Sequence, residues 1–270
     1  MMKKLAVGAI VLIALLPILW QVLTSVKVNA DISAIPNVYF PTRFTLSHYI
    51  ELFTRRPFLL YIFNSFFIAS VSSFLCILIG APAAYALTRL KLPGESAILA
   101  GVFVVTLFPY VLLFLGLLEI IKWTGLGNNY LALIIPYTAI NLPLTILVLR
   151  SFFAGLPQEL EDAAKLDGYK LLPMLIRIVL PMTVPALVTT AILSFIFAWN
   201  EYLLALTFIT REEMKTIPVA TAQLGSSSVF EIPYGAMAAA TVLGTFPLVL
   251  LVLFFQRRIV GGLTAGAIKG

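Results

Sequence analysis

The sequence predicts an all-α polytopic membrane protein, and three observations carry that expectation. Hydrophobic residues make up 61% and charged residues 11% of the chain, with a mean hydropathy of +1.03, whereas soluble domains carry about 25% charge. Six runs contain no charged residue: Leu5 to Val26, Pro57 to Thr88, Ser96 to Leu118, Trp123 to Leu149, Ile178 to Asn200 and Ile232 to Gln256. Each reaches the roughly 20 residues that a membrane-crossing helix needs. Finally, seven charged residues gather in one island, Leu156 to Pro181, between the fourth and fifth runs.

The first run is longer than the roughly 7 to 15 apolar residues of a signal peptide and is read as a retained span. Lys27 to Arg56 then reads as an external loop with turn formers Pro36 and Pro41 and the single histidine, His48, which has no second histidine to build a site with. In the second run Cys76, the one cysteine, reads as a packing residue, and Ala81, Ala83, Ala84 and Ala86 form a small-residue patch suited to close helix contact. The third and fourth runs are joined through Glu119 to Asn129, a turn-rich connection containing Gly125 and Gly127. Pro17, Pro82, Pro109, Pro136, Pro143, Pro185 and Pro247 lie in or at the ends of spans, and each removes a backbone donor that lipid cannot replace.

In the fifth span Asn200 and Glu201 interrupt an apolar stretch. Glu201 lies about 12 Å along a helix from Ile209, and an ionised group at depth costs about 3 kcal/mol unless it faces protein or water. It is either a hydrogen-bonding hub or part of a solute path, together with Asn141, Trp199 and Asn200. Thr210 to Tyr234, with Gly225-Ser226-Ser227-Ser228, reads as a polar outer loop. Placing the N-terminus inside puts eleven of the eighteen basic residues there, so both termini and the charged island fall on the cytoplasmic side. The net charge of +6 then follows from topology, with no basic and aromatic surface for nucleic acid.

Within the island the pattern is that of a short helix. Pro157 suits a first helical position, Glu159 and Glu161 favour the positive end of the dipole, and Gly168 supplies a left-handed stop. Leu156, Leu160, Ala163, Ala164 and Asp167 recur at helical spacing, giving one small, mostly apolar face. Such a face suits either a cleft on a partner protein or the lipid headgroups, and four acids against two lysines in Glu159 to Lys170 favour the protein.

Asp162-Ala163-Ala164, three residues, Gly168, nine residues and Ile178-Val179-Leu180-Pro181 resemble the EAA motif of membrane subunits in binding-protein-dependent ABC importers. Asp162 stands where that family usually has Glu. The tail from Gln256 with Arg257 and Arg258, the Asn200-Glu201 pair and Pro233-Tyr234-Gly235-Ala236-Met237 resemble MalG-like carbohydrate permeases of the maltose and trehalose type. The resemblance implies the type I ABC importer (MetI-like) fold with six transmembrane helices, in the plasma (inner) membrane of a prokaryote. It implies a coupling helix at 157–170, docking on an ATPase through Leu160, Asp162, Ala163, Ala164 and Gly168, and a tail reaching between the ATPases. The implied organisation is a first span and outer loop over 1–56, a core of five spans over 57–258 and a cytoplasmic tail over 259–270. The partners implied are a second permease, two ATP-binding subunits that hold ATP and Mg, and an extracytoplasmic sugar-binding protein, with no cofactor in this chain. The outer loop matching Thr210 to Tyr234 reaches into the binding protein in maltose-type permeases.

No phosphate-binding loop is present, since no Gly-Lys pair occurs, so this chain is not itself the ATPase. Clustered histidines and cysteines for a metal, or a buried Ser and His pair for a protease, are also missing. The rival reading is a secondary transporter working without an ATPase, against which Glu201 stands as the single charge that looks membrane-embedded.

Overall fold

The structure is a computed structural model that describes residues 2–225 and 232–265, the side chains of Met2 and of residues 257–265 excepted. Among the described residues the regular structure is helical, apart from one isolated bridge between Lys27 and Phe44. Four helices are long and apolar enough to cross a membrane: Lys3–Ser25, Phe58–Arg89, Leu131–Ala154 and Tyr234–Gln256. Two further pairs, Glu95–Leu107 with Tyr110–Thr124 and Leu171–Met182 with Val184–Asn200, are bent by 91° and 82°, and the total is six if each pair is one crossing.

The chain packs as two compact units, Met1–Asn64 with Arg211–Val249 and Ser65–Thr210 with Leu250–Gly270. In the first unit α1 (Met2–Ser25) keeps its apolar side chains outward, Leu5 and Ile10 each being 66% exposed. That is how a helix solvated by lipid behaves. The segment after it is not the simple loop expected from its polar residues and prolines. It carries α2 (Asn29–Ile32) and α3 (Ser47–Arg55) and is tied down by buried polar contacts. Lys27 Nζ donates to Val38 O at 2.7 Å and lies 4.2 Å over the Trp20 ring, while Asp31 accepts from the Thr42 backbone N–H at 2.7 Å. His48, read from the sequence as an incidental loop residue, is buried, with Nε2 2.9 Å from Lys27 O. A Cβ on Gly235 would meet that ring at 2.2 Å, so only glycine lets α14 (Tyr234–Ala265) pass the imidazole.

The connection after Thr210 also differs from the expected polar loop. Glu212–Met214 forms a 3-10 turn and α13 (Ile217–Leu224) follows, burying Ile217, Val219, Ala220 and Leu224. Asn64, near the start of α4 (Phe58–Arg89), donates to the carbonyls of Glu213 and Lys215 at 2.9 Å each and holds the turn. Ser226, Ser227 and Ser228 lie outside the described residues.

In the second unit α4 packs against α7 (Leu131–Ala154) through small residues, as the alanine patch predicts: Ala81 and Ala84 are buried, and a Cβ on Gly80 would lie 2.6 Å from Thr145 Cγ2. Between them in sequence, α5 (Glu95–Leu107) stops at Phe108 and a 3-10 turn, Tyr110–Leu113, leads into α6 (Phe114–Thr124). Pro109 at the break has no N–H to continue the ladder. The helix then runs through Glu119 and Lys122 to a left-handed Gly125, later than the charges alone suggested, so the fourth span begins at Leu131 and not at Trp123.

After α7 come α8 (Glu159–Leu166), α9 (Leu171–Met174), a π-helical turn over Leu175–Val179, α10 (Leu180–Met182), α11 (Val184–Asn200) and α12 (Leu203–Phe208). The bend between α10 and α11 falls at Thr183, flanked by Pro181 and Pro185, with the Thr183 hydroxyl donating to Val179 O at 3.0 Å.

Candidate functional site

α8 is shorter than the 157–170 expected: Pro157 precedes it, Gln158 stands at the N-cap position, and the helix runs from Glu159 to Leu166. Glu159, Glu161 and Asp162 fill its first turn, where acids complement the dipole. At its end Gly168 takes φ +85°, Gly168 N–H bonds Lys165 O and Tyr169 N–H bonds Ala164 O, both at 3.0 Å. That pair of bonds is the Schellman stop that a left-handed glycine permits.

The helix presents a different face from the one its spacing suggested. Ala164 is 3% exposed and belongs to the chain's own packed cluster, with Ala81, Ala84 and Tyr85 of α4, Leu149 and Phe153 of α7 and Met174 of α9. Its methyl supports α8 from behind and does not point outward. Leu156 also packs against that cluster. The outward surface carries Leu160, Asp162, Ala163 and Leu166, with Leu166 90% exposed and Asp162 paired to Lys165 at 2.9 Å. Gly168 stays exposed beside it, with open space where a Cβ would stand.

Sequence reasoning missed the residue that fastens this helix. Glu161 is buried, and Arg89 at the end of α4 donates Nε–H to its Oε1 at 2.7 Å while the Tyr85 hydroxyl donates to Oε2 at 2.8 Å. Arg89 Nη2 also donates to Leu156 O at 2.7 Å, so one guanidinium holds both α8 and the chain entering it. Tyr85 and Arg89 are one helical turn apart on one face of α4, and Tyr85 packs edge-on against Phe153 at 5.8 Å. The available signal was an acid one place before Asp162 and a basic residue closing a span, a pattern that topology alone also produces.

The residues considered for a solute path separate into two kinds. Asn141, on α7, donates to Tyr137 O at 2.8 Å and lines a cavity of about 490 Å³ in the bend of α5 and α6, together with Phe108, Tyr110, Leu144 and Phe197. Asn200 is exposed at the end of α11 and donates to Ile196 O at 2.7 Å. Trp199 is buried and stacks on Phe195 at 5.6 Å. Glu201 is buried too, and its carboxylate accepts from Leu204 N–H at 2.9 Å, Ala205 N–H at 3.1 Å and the Tyr137 hydroxyl at 2.6 Å. Glu201 thus acts as a hydrogen-bonding hub that starts α12 after a break in the span. Gln256 is exposed and its amide donates to Leu253 O at 3.0 Å, whereas the side chains of Arg257 and Arg258 and the tail beyond Ala265 lie outside the described residues.

Outside the spans, Glu212 accepts hydrogen bonds from Tyr61 and Lys215. Burial pushes its pKa up, but the hydrogen bonds from Lys215 and Tyr61 and the positive charges of Lys215 and Arg56 outweigh this and hold it below the usual carboxylate range. No cluster of His, Cys, Asp and Glu suited to a metal occurs among the described residues.

Known proteins resemble the chain over almost its whole length. The sulfoquinovosyl glycerol transport system permease protein SmoH of Agrobacterium fabrum is 40% identical over 269 residues, covering 100% of this chain and 94% of that protein. The trehalose transport system permease protein SugB of Mycobacterium tuberculosis is 39% identical, covering 95% and 93%, and the trehalose/maltose transport system permease protein MalG of Thermococcus litoralis is 38% identical, covering 98% and 96%. Among solved structures, a chain of a bacterial ABC transporter involved in the import of the acidic polysaccharide alginate superposes with a TM-score of 0.80 at 22% identity, covering 95% and 94% of the two chains. A chain of the MetNI methionine ABC transporter superposes with a TM-score of 0.57 over 75% of this chain and 94% of its own, at 19% identity. Residues 76–264, from the middle of α4 through nearly all of α14, match the family described as binding-protein-dependent transport system inner membrane component, and the chain belongs to that family.

Proposed function

We propose that this permease carries a di- or oligosaccharide, handed over by an extracytoplasmic binding protein, and that α8 docks on an ATP-hydrolysing partner. As a permease of a binding-protein-dependent importer the chain is a non-catalytic membrane subunit. Saccharide cargo is supported by relatives of 38% to 40% identity named for sulfoquinovosyl glycerol, trehalose and maltose transport. Docking rests on one observation above all: α8 turns Leu160, Asp162 and Ala163 outward while Ala164 and Glu161 hold it to the spans. A surface helix of small and acidic residues, rigidly backed, fits a cleft on a protein. Gly168 ends the docking helix, and α8, the end of α4 that carries Arg89 and both termini face the cytoplasm. A second permease completes the pathway, two ATP-binding subunits hold ATP and Mg, and the tail from Gln256 through Arg257 and Arg258 extends toward them. Asn141 and Asn200 contribute to the solute path, with Trp199 and Glu201 shaping it from behind.

Affinity purification from membranes of the source tests this reading. The unaltered chain should bring down an ATPase and a second permease, and Ala163→Arg, placed on the outward face, should lose the ATPase while the permease pair remains. A chain that purifies alone and still moves trehalose or maltose into vesicles is a secondary transporter instead.

A further inference from the structure

The sequence after α8 leads directly into α9, but that route is mechanically interrupted. It passes a π-helical turn over Leu175–Val179 and then an 82° bend before α11. Each is a place where the regular hydrogen-bond ladder changes register or stops. A second route leaves α8 sideways. Glu161 uses both oxygens, one on Arg89 and one on Tyr85, and Arg89 reaches on to Leu156 O, so two bonds to α8 and one to the chain entering it, of 2.7 to 2.8 Å, join this segment to the last turns of α4. The apolar contacts of Ala164 resist compression of α8 onto the spans but not its withdrawal. A buried ion pair whose geometry is fixed by a planar guanidinium resists both.

We propose that Glu161, Arg89 and Tyr85 form the link that makes α4 move with α8, so that displacement of α8 enters the spans through α4 before it reaches α11. This rests on the reading of α8 as the ATPase-docking helix. Glu161 and Arg89 are positioning residues in this scheme: they touch neither nucleotide nor solute. The link joins the two elements because its partners are drawn from both, and its loss leaves the outward surface of α8 unaltered.

The test uses the complete transporter, purified with its ATPases, in a Cys76→Ala background. Spin labels at Glu159→Cys on α8 and Leu90→Cys just beyond α4 report the distance between the two elements without nucleotide and after trapping with ADP and vanadate. In the otherwise unaltered chain the distance distribution should be the same in both states. In Glu161→Gln it should differ between the states while ATPase still co-purifies and hydrolysis stays within about twofold, and the Glu161→Arg, Arg89→Glu exchange should restore the single distribution in part. Tyr85→Phe, which keeps its ring against Phe153, should give an intermediate broadening if the stronger variants fail to fold. A nucleotide-dependent distance in the unaltered chain, or an unchanged distance in both Glu161→Gln and Tyr85→Phe, overturns the link. Absence of ATPase from the unaltered preparation overturns the docking reading, and the link with it.

Discussion

Two buried carboxylates in one packed unit, Glu161 and Glu201, are each 4% exposed and each accept a hydrogen bond from a tyrosine, yet they do different things. Glu161 is neutralised by a full charge on another element, Arg89, and so ties α8 to α4. Glu201 is stabilised by the Leu204 and Ala205 backbone N–H groups just ahead of it, and so fixes a local break between α11 and α12. A carboxylate satisfied by backbone amides a few residues away shapes one segment. One satisfied by a guanidinium seventy-two residues away joins two. The exposed counterpart is Glu212, which also has a tyrosine, Tyr61, but holds Lys215 on the same short turn and stays in contact with water.

The comparison predicts a graded set of effects. Arg89→Ala leaves Glu161 buried without its counter-charge and should cost about 3 to 5 kcal/mol, seen as a large fall in the thermal unfolding midpoint in detergent. Replacing both partners with Arg89→Met and Glu161→Leu should recover most of that stability; if the double variant is as unstable as the single one, the ion pair is not what Arg89 contributes. Glu201→Gln keeps one acceptor beside the start of α12 but sets an amide against two N–H donors and a hydroxyl. It should cost about 1 to 3 kcal/mol, with faster hydrogen exchange confined to Leu203–Phe208. Gly168→Ala meets open space, so only the strain of φ +85° acts, about 1 to 2 kcal/mol. Exchange at Tyr169 N–H should report it.

The smallest effect belongs to Glu212. Its pKa is lower in the folded protein than in the unfolded chain, so its contribution is present at neutral pH and is lost as pH falls through the folded value. With the side chain 53% exposed, that contribution is under about 1 kcal/mol. Lys215→Met should reduce the acid-induced loss of stability between about pH 5 and pH 3, and an identical acid profile in both proteins would assign the loss to other groups.

Much of the fold was legible because lipid imposes it. A charge-free run of sufficient length has few alternatives to a helix, and the six runs correspond to the four continuous helices and two bent pairs. The breaks were less legible. Pro109 and Pro185 were visible, but Pro82, Pro136, Pro143 and Pro247 lie inside unbroken helices. Whether a proline bends a span depends on what neighbouring groups offer its freed carbonyl, and the prolines themselves look alike. The coupling segment was found from its spacing, yet the inward turn of Ala164 was not, because two adjacent alanines carry no local sign of which one meets α4. His48 shows the same limit: its burial depends on Gly235, far along the chain.

The sequence by itself determined that this chain lives in a membrane, that it holds six runs long enough to cross, that Gly168 ends α8, and that it carries no nucleotide-binding loop. Those properties follow from composition, helical period and backbone preference, all of which act over a few residues. The tertiary structure decided which face of α8 is outward, that Glu161 and not Asp162 makes the buried ion pair, and that Glu201 caps a helix. Each of those depends on a partner brought close by folding, and a buried charge is acceptable only once that partner is in place.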